Sequence, residues 1–278
     1  MPATFAINIF YNNVITKESG NVPSLSKSLF FTPFISPTDH LMIPEHFVLT
    51  RDGAPHALCN LAAEELQLHL KTQNEWNHNF GLTAIDTRII IGKMFGVLVV
   101  MTSDHQLGYL AAFSGKLAGG NHHAKFVPPV FDSLTANSFL NLGMEKLTRM
   151  NADIKKLTVS KSEGMNDQLN HLKTARKNHS VSLQRKLFGH YHFLNQAGIE
   201  QSLNDIFKKA LRKNPPSGAG ECAAPKLLQY AFKHQMKPLA LAEFWWGQSP
   251  KSEAWKHGHY YPTCSEKCGP ILAHMLSN

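Results

Sequence analysis

Three of the chain's four cysteines lie near its end, in two short stretches that also carry histidine. Cys222 stands in "GECAAPKLLQYA"; Cys264 and Cys268 stand in "HGHYYPTCSEKC" with His257 and His259. Thiolate and imidazole are the preferred ligands of zinc, and a closed structural site takes four of them. Three residues separate Cys264 from Cys268, a spacing that suits a knuckle. Cys222, at the start of an expected helix, adds a thiolate whose charge the helix N-terminus favours. His259 or His257 supplies the fourth ligand; in a strand the two share a face. This reading predicts one structural zinc on Cys222, His259, Cys264 and Cys268. The plain alternative is that these thiols pack as small hydrophobes.

Two catalytic alternatives use the same residues. Zinc deaminases combine H-x-E, or a Cys equivalent, with P-C-x-x-C on the next helix. Here "CAAP" offers Cys222, but Ala224 stands at the position of the proton-shuttling glutamate, and the second pair is spaced one residue too far. Such chemistry needs a carboxylate, so Glu221 or Glu243 would have to take that place. The other alternative is a Cys222 nucleophile, activated at a loop-to-helix junction and served by His257 or His259 as base. Cys59 sits in an apolar helical run and is expected in the core.

The elements that must position these groups read as follows. "PHALCNLAAEELQLHLKTQ" places Leu58, Leu61, Ala62, Leu66 and Leu70 at helical spacing behind Pro55. Two β-rich runs flank the polar turn "TSDHQ" and predict an antiparallel hairpin within 89–113. Val97 to Met101 are apolar on both sides, so that strand is expected to be central and covered on both faces. A helix is expected from Ala223 or Pro225 to His234, a strand over "PLALAEFWWG", and a further strand over "HGHYYP". Of the consecutive Trp245 and Trp246, one should enter the core.

Between these parts lies a helical stretch. Leu147, Met150, Ile154 and Leu157, then Leu183, Leu187, Tyr191 and Leu194, predict a helical hairpin or short antiparallel coiled coil turning near "VSKSEG". Ser202 or Asn204 starts another short helix that ends before Pro215. The fold class is therefore α+β: an antiparallel-containing sheet with flanking helices, built from 1–130 plus 214–278 and interrupted by an inserted arm, 131–213.

The arm holds the charge. From Glu145 to Lys213 there are fourteen Lys/Arg against six Asp/Glu, a surplus equal to the +8 of the whole chain. A solvated helix face explains this, and so does contact with a phosphate backbone, which would be salt-dependent and indifferent to sequence. Lys155, Lys156, Arg176, Lys177, Arg185 and Lys186 are the candidate RNA-binding residues. A coiled-coil arm would also permit self-association.

Composition removes other classes. With 278 residues, 43% hydrophobic and 17% charged, the chain buries a real core. Four cysteines do not make a disulfide framework. The start lacks a signal-peptide pattern, and the most apolar run is broken by Lys93. A soluble cytoplasmic protein with no membrane partner is expected.

"GKMFGVLVV", "LGYLAAFSGKLAG", "FVPPVFDSL", "PPSGAGECAAPKLLQYAF", "LALAEFWWGQSPKSE" and "HGHYYPTCSEKCGPILAHML" resemble the long N-terminal region of certain bacterial RluA-family pseudouridine synthases. The resemblance runs from about residue 30 to the end. It implies an accessory region engaging rRNA or tRNA, with isomerisation carried out by a following synthase domain. That domain's nucleophilic aspartate lies in an R-L-D-x-x-T-S-G type motif. No R-L-D occurs here, and Asp86 and Asp132 stand in other contexts. No catalytic residue carries over.

Overall fold

The computed structural model describes residues 29–50, 54–83, 88–135, 138–160, 165–211, 213–250 and 253–278. Its class is α+β, organised on a mixed sheet. Strand β1 (Thr32–Pro33) and β2 (Val48–Leu49) are two-residue edge strands. Helix α1 (Ala57–Thr72) follows, buried along Leu58, Ala62, Leu66 and Leu70 of the row its periodicity specified, with Leu61 half-buried. Its first turn is capped by His56, whose Nδ1 accepts from the Leu58 N–H at 3.2 Å.

The hairpin of β3 (Lys93–Met101) and β4 (Leu107–Phe113) turns at residues 102–106, as expected. His105 takes a positive φ of 59° there, and the Thr102 hydroxyl accepts from the Gln106 N–H. Strand β3 is central: it pairs antiparallel with β4 on one side and β7 (Lys237–Trp246) on the other. The sheet order is β1-β4-β3-β7-β2, with β2 parallel to β7 and β8 (Tyr260–Tyr261) also on β7.

The apolar-on-both-sides pattern of β3 has its physical reason in two separate cores. Phe95, Val97 and Val99 face α1 together with Phe113, Phe244 and Trp246. Leu98 and Val100 face the opposite layer, which includes α5 (Ala223–Lys233) and α6 (Gly269–Met275). Gly96 lets α5 sit directly on β3, because a Cβ there would lie 2.9 Å from that of Ala223.

Within 131–213 the chain does two different things. Helices α2 (Phe139–Ser160) and α3 (Met165–Phe188) form an antiparallel hairpin. Gly143 lies against Leu183, and the Arg176 Nε donates to Asn151 Oδ1 at 3.1 Å. The turn read at "VSKSEG" falls largely on 161–164, outside the described residues. Beyond Phe188 the chain rejoins the body. Strands β5 (His192–Leu194) and β6 (Glu200–Ser202) and helix α4 (Leu203–Leu211) put Phe193, Leu203, Ile206 and Phe207, with Tyr191, into the α5 core. Helix α4 begins where expected, with the Asp205 N–H donating to Ser202 Oγ. No helix among the described residues is long and apolar enough to cross a membrane.

Candidate functional site: a buried thiol and charge cluster under helix α5

The loop before α5 is fixed to the end of β4. The Gly115 N–H donates to the Glu221 carbonyl at 2.8 Å, and the Ala223 N–H donates to Ser114 Oγ at 3.3 Å. Gly220 has φ of +90° and packs on the Tyr191 ring, a place that admits no side chain without displacement. These contacts set Cys222 at the N-cap of α5, where its thiol makes no cap hydrogen bond.

One turn on, Lys226 is 3% exposed. Its ammonium donates to the Phe113 and Gly115 carbonyls at 3.1 and 3.3 Å, lies over the Phe113 ring, and stands 3.7 Å from Glu221 Oε2. Burial lowers the Lys226 pKa and Glu221 opposes this; burial raises Glu221 and Lys226 opposes that. Each charge thus offsets part of the other's burial.

Below the helix start, Glu243 projects from β7 on the α5 side of the sheet. It is 5% exposed, and its Oε1 accepts from the Ala224 N–H at 3.2 Å. Burial pushes its carboxyl up to about 7, against the Ala224 hydrogen bond. A carboxylate therefore stands beside Ala224 in space, although the sequence has none at that position.

Cys268 caps α6 and is buried in the core that Cys222 borders. Their side chains are neighbours, and each acts on the other's titration. Cys222 is held below the usual thiol range by the Cys268 side chain beside it, with burial opposing; Cys268 is driven up by Cys222 and by burial. Neither is in a disulfide.

The four expected zinc ligands part company here. The fold joins Cys222 with Cys268. Cys264 is exposed; its carbonyl accepts from the Cys268 and Gly269 N–H groups, and its Sγ accepts from the Lys267 N–H at 3.5 Å. His259 is exposed at the sheet edge, where its carbonyl accepts from Trp245. His257 belongs to the other face: its ring lies 4.3 Å from that of Trp246, and its Nδ1 accepts from the Gly247 N–H. Among the described residues no three His, Cys, Asp or Glu side chains form a group able to hold a metal ion. The alternating face of β7 explains part of this: Trp246 and Glu243 point to opposite sides of the sheet. Cys59 lies in the α1 core, where burial pushes its thiol up to about 12, in keeping with a structural role.

Lys226 was missed from the sequence. Its only local signal was a lysine among otherwise apolar neighbours in the first turn of a buried helix.

The arm's cations are solvated. Lys155, Lys156, Lys177, Arg185 and Lys186 are exposed, and Arg176 is half-buried across from Asn151. Lys186 also covers the Phe139 ring, at 4.6 Å, which braces the base of the hairpin. No protein-family model, curated protein or solved structure matches this chain.

Proposed function

We propose that this chain is an accessory RNA-engaging module of an RNA-modifying enzyme, of the pseudouridine-synthase kind that its sequence resembles. The observation that carries the reading is the α2–α3 hairpin. It has nine Lys/Arg against three Asp/Glu. Its cations run from the base (Arg185, Lys186) through the middle (Arg176, Lys177) towards the tip (Lys155, Lys156). A 22-residue helix extends about 33 Å at 1.5 Å per residue, long enough to follow several phosphates. Solvated lysines and arginines on a rigid rod suit backbone contact, which demands charge and reach but no base-reading geometry.

The test is fluorescence anisotropy of a labelled RNA hairpin across a salt series. Binding at low salt that weakens linearly on a log–log plot supports the reading. Absence of binding at low salt ends it, and a salt-independent dimer in sedimentation would point to the arm as a self-association surface instead.

A second reading, thiol chemistry at Cys222, is favoured by the Cys222–Cys268 contact. Its deaminase form has a carboxylate at hand in Glu243, but among the described residues no third ligand for the metal is gathered.

A further inference from the structure

Of the four thiols, the fold matches one pair. Cys59 is sealed in the α1 core on the opposite side of the sheet, and Cys264 faces solvent. Cys222 and Cys268 are brought together from α5 and α6, two helices that pack in one apolar cluster. Each caps its helix without spending its sulfur on the cap, and Cys222 packs against the apolar cluster that holds Cys268. Their environments differ in the way a two-step thiol reaction requires. Cys222 is partly exposed, while Cys268 is 1% exposed behind it. Positive charge from Lys267 and Lys226 acts on Cys222, whereas Glu243 opposes it. A partly exposed cysteine beside cations reacts first, and a buried cysteine next to it resolves.

We propose that Cys222 and Cys268 form a redox dithiol, in which Cys222 is oxidised by a hydroperoxide and Cys268 closes the disulfide. This inference is independent of the RNA reading. In the first step the Cys222 thiolate attacks the terminal peroxide oxygen. An S–O bond forms, the O–O bond breaks, and the departing oxygen takes a proton to leave as water or an alcohol. Cys222 is then a sulfenic acid. In the second step the Cys268 sulfur, losing its proton, attacks the Cys222 sulfur. The S–S bond forms, the S–O bond breaks, and hydroxide leaves as water with that proton. Two electrons pass from the thiol pair to the peroxide. An external dithiol reverses the change by exchange. The bridge would tie the starts of α5 and α6, two residues from the Gly220 backbone that packs on Tyr191 just beyond the arm.

The experiment uses the full reduced chain, treated with one equivalent of hydrogen peroxide, quenched with an alkylating agent and mapped by peptide mass spectrometry. The expected result is loss of two alkylatable thiols of the four, with a single cross-linked peptide pair containing Cys222 and Cys268. Cys264→Ser should behave as wild type. Cys268→Ser should accumulate a Cys222 sulfenic acid that dimedone traps. Should Cys268→Ser fail to fold, the wild-type map still decides the matter. A cross-link through Cys264, or Cys222 and Cys268 still fully alkylated while Cys264 is consumed, would overturn the proposal. So would zinc co-purifying on these thiols and released by a chelator.

Discussion

The hairpin arm and the cluster under α5 use charge in opposite ways. On the arm, nine cations stand mostly in water, with Arg176 donating to Asn151 and Lys186 covering the Phe139 ring. Under α5 there are few charges, and each is committed: Lys226 to two carbonyls and Glu221, Glu243 to the Ala224 amide. Solvated charges cost little to keep and little to exchange, so they are suited to a partner that reads total charge. Buried charges are expensive to strip of partners, so they fix geometry. The two regions therefore differ in what mutation should do to them: binding without stability on the arm, stability first in the cluster.

The largest effect is expected on binding. Reversing Lys155, Lys156, Arg176 and Lys177 to Glu should weaken RNA binding at low salt on the order of 1,000-fold and flatten its salt dependence. Melting should move by less than about 0.5 kcal/mol in stability, as for other surface changes. A large drop in melting would break the contrast by showing that the arm's charges are structural.

Next comes Lys226→Ala. It leaves two carbonyls and Glu221 without their cation, and should cost roughly 3 kcal/mol in urea unfolding. An unchanged midpoint would mean that the carboxylate and carbonyls find water without loss.

Glu243→Gln should act with the opposite sign and only at high pH. The folded carboxyl, at about 7, is raised above its ordinary value of 4.5 by burial. The native state then holds more protons than the unfolded state between those values, so stability falls as pH rises from about 4.5 to 7 and stays lowered above. The amide keeps an acceptor for the Ala224 N–H but carries no charge. Glu243→Gln should therefore match wild type near pH 4 and be more stable near pH 8, by on the order of 3 kcal/mol. Thermal melts across pH check this; parallel curves for the two proteins would show that Glu243 is not titrating from a buried site.

The smallest change should be Cys264→Ser. Exposed and outside the core, it should shift stability by less than about 0.5 kcal/mol. A marked loss, with metal released, would support the zinc knuckle that its spacing to Cys268 suggests.

The legible parts of the molecule were those whose signal is local or periodic. The row of α1, the turn at 102–106, the two-sided burial of β3 and the start of α5 could all be read from residue order. So could the surplus of cations on the arm, since a run of solvated charge needs no partner to be recognised. The edge strands β1 and β2, two residues each, carry too little pattern to be seen. The stretch after Phe188 reads as a continuation of the arm because Tyr191 and Leu194 keep its spacing; Tyr191 instead enters the α5 core, and Leu194 lies on β5.

By itself, then, the sequence determined the elements, the central strand and where the net charge sits, because hydrophobic period and turn chemistry act over a few neighbouring residues. Only the tertiary structure decided which thiol meets Cys222, that a carboxylate from β7 lies beneath Ala224, and that Lys226 reaches back to Phe113 and Gly115. Those contacts span 19 to 113 residues of chain. They arise because packing α5 on β3 through Gly96 excludes water from whatever side chains fall beneath it. Polar groups caught there must find one another, and residue order does not say which will be caught.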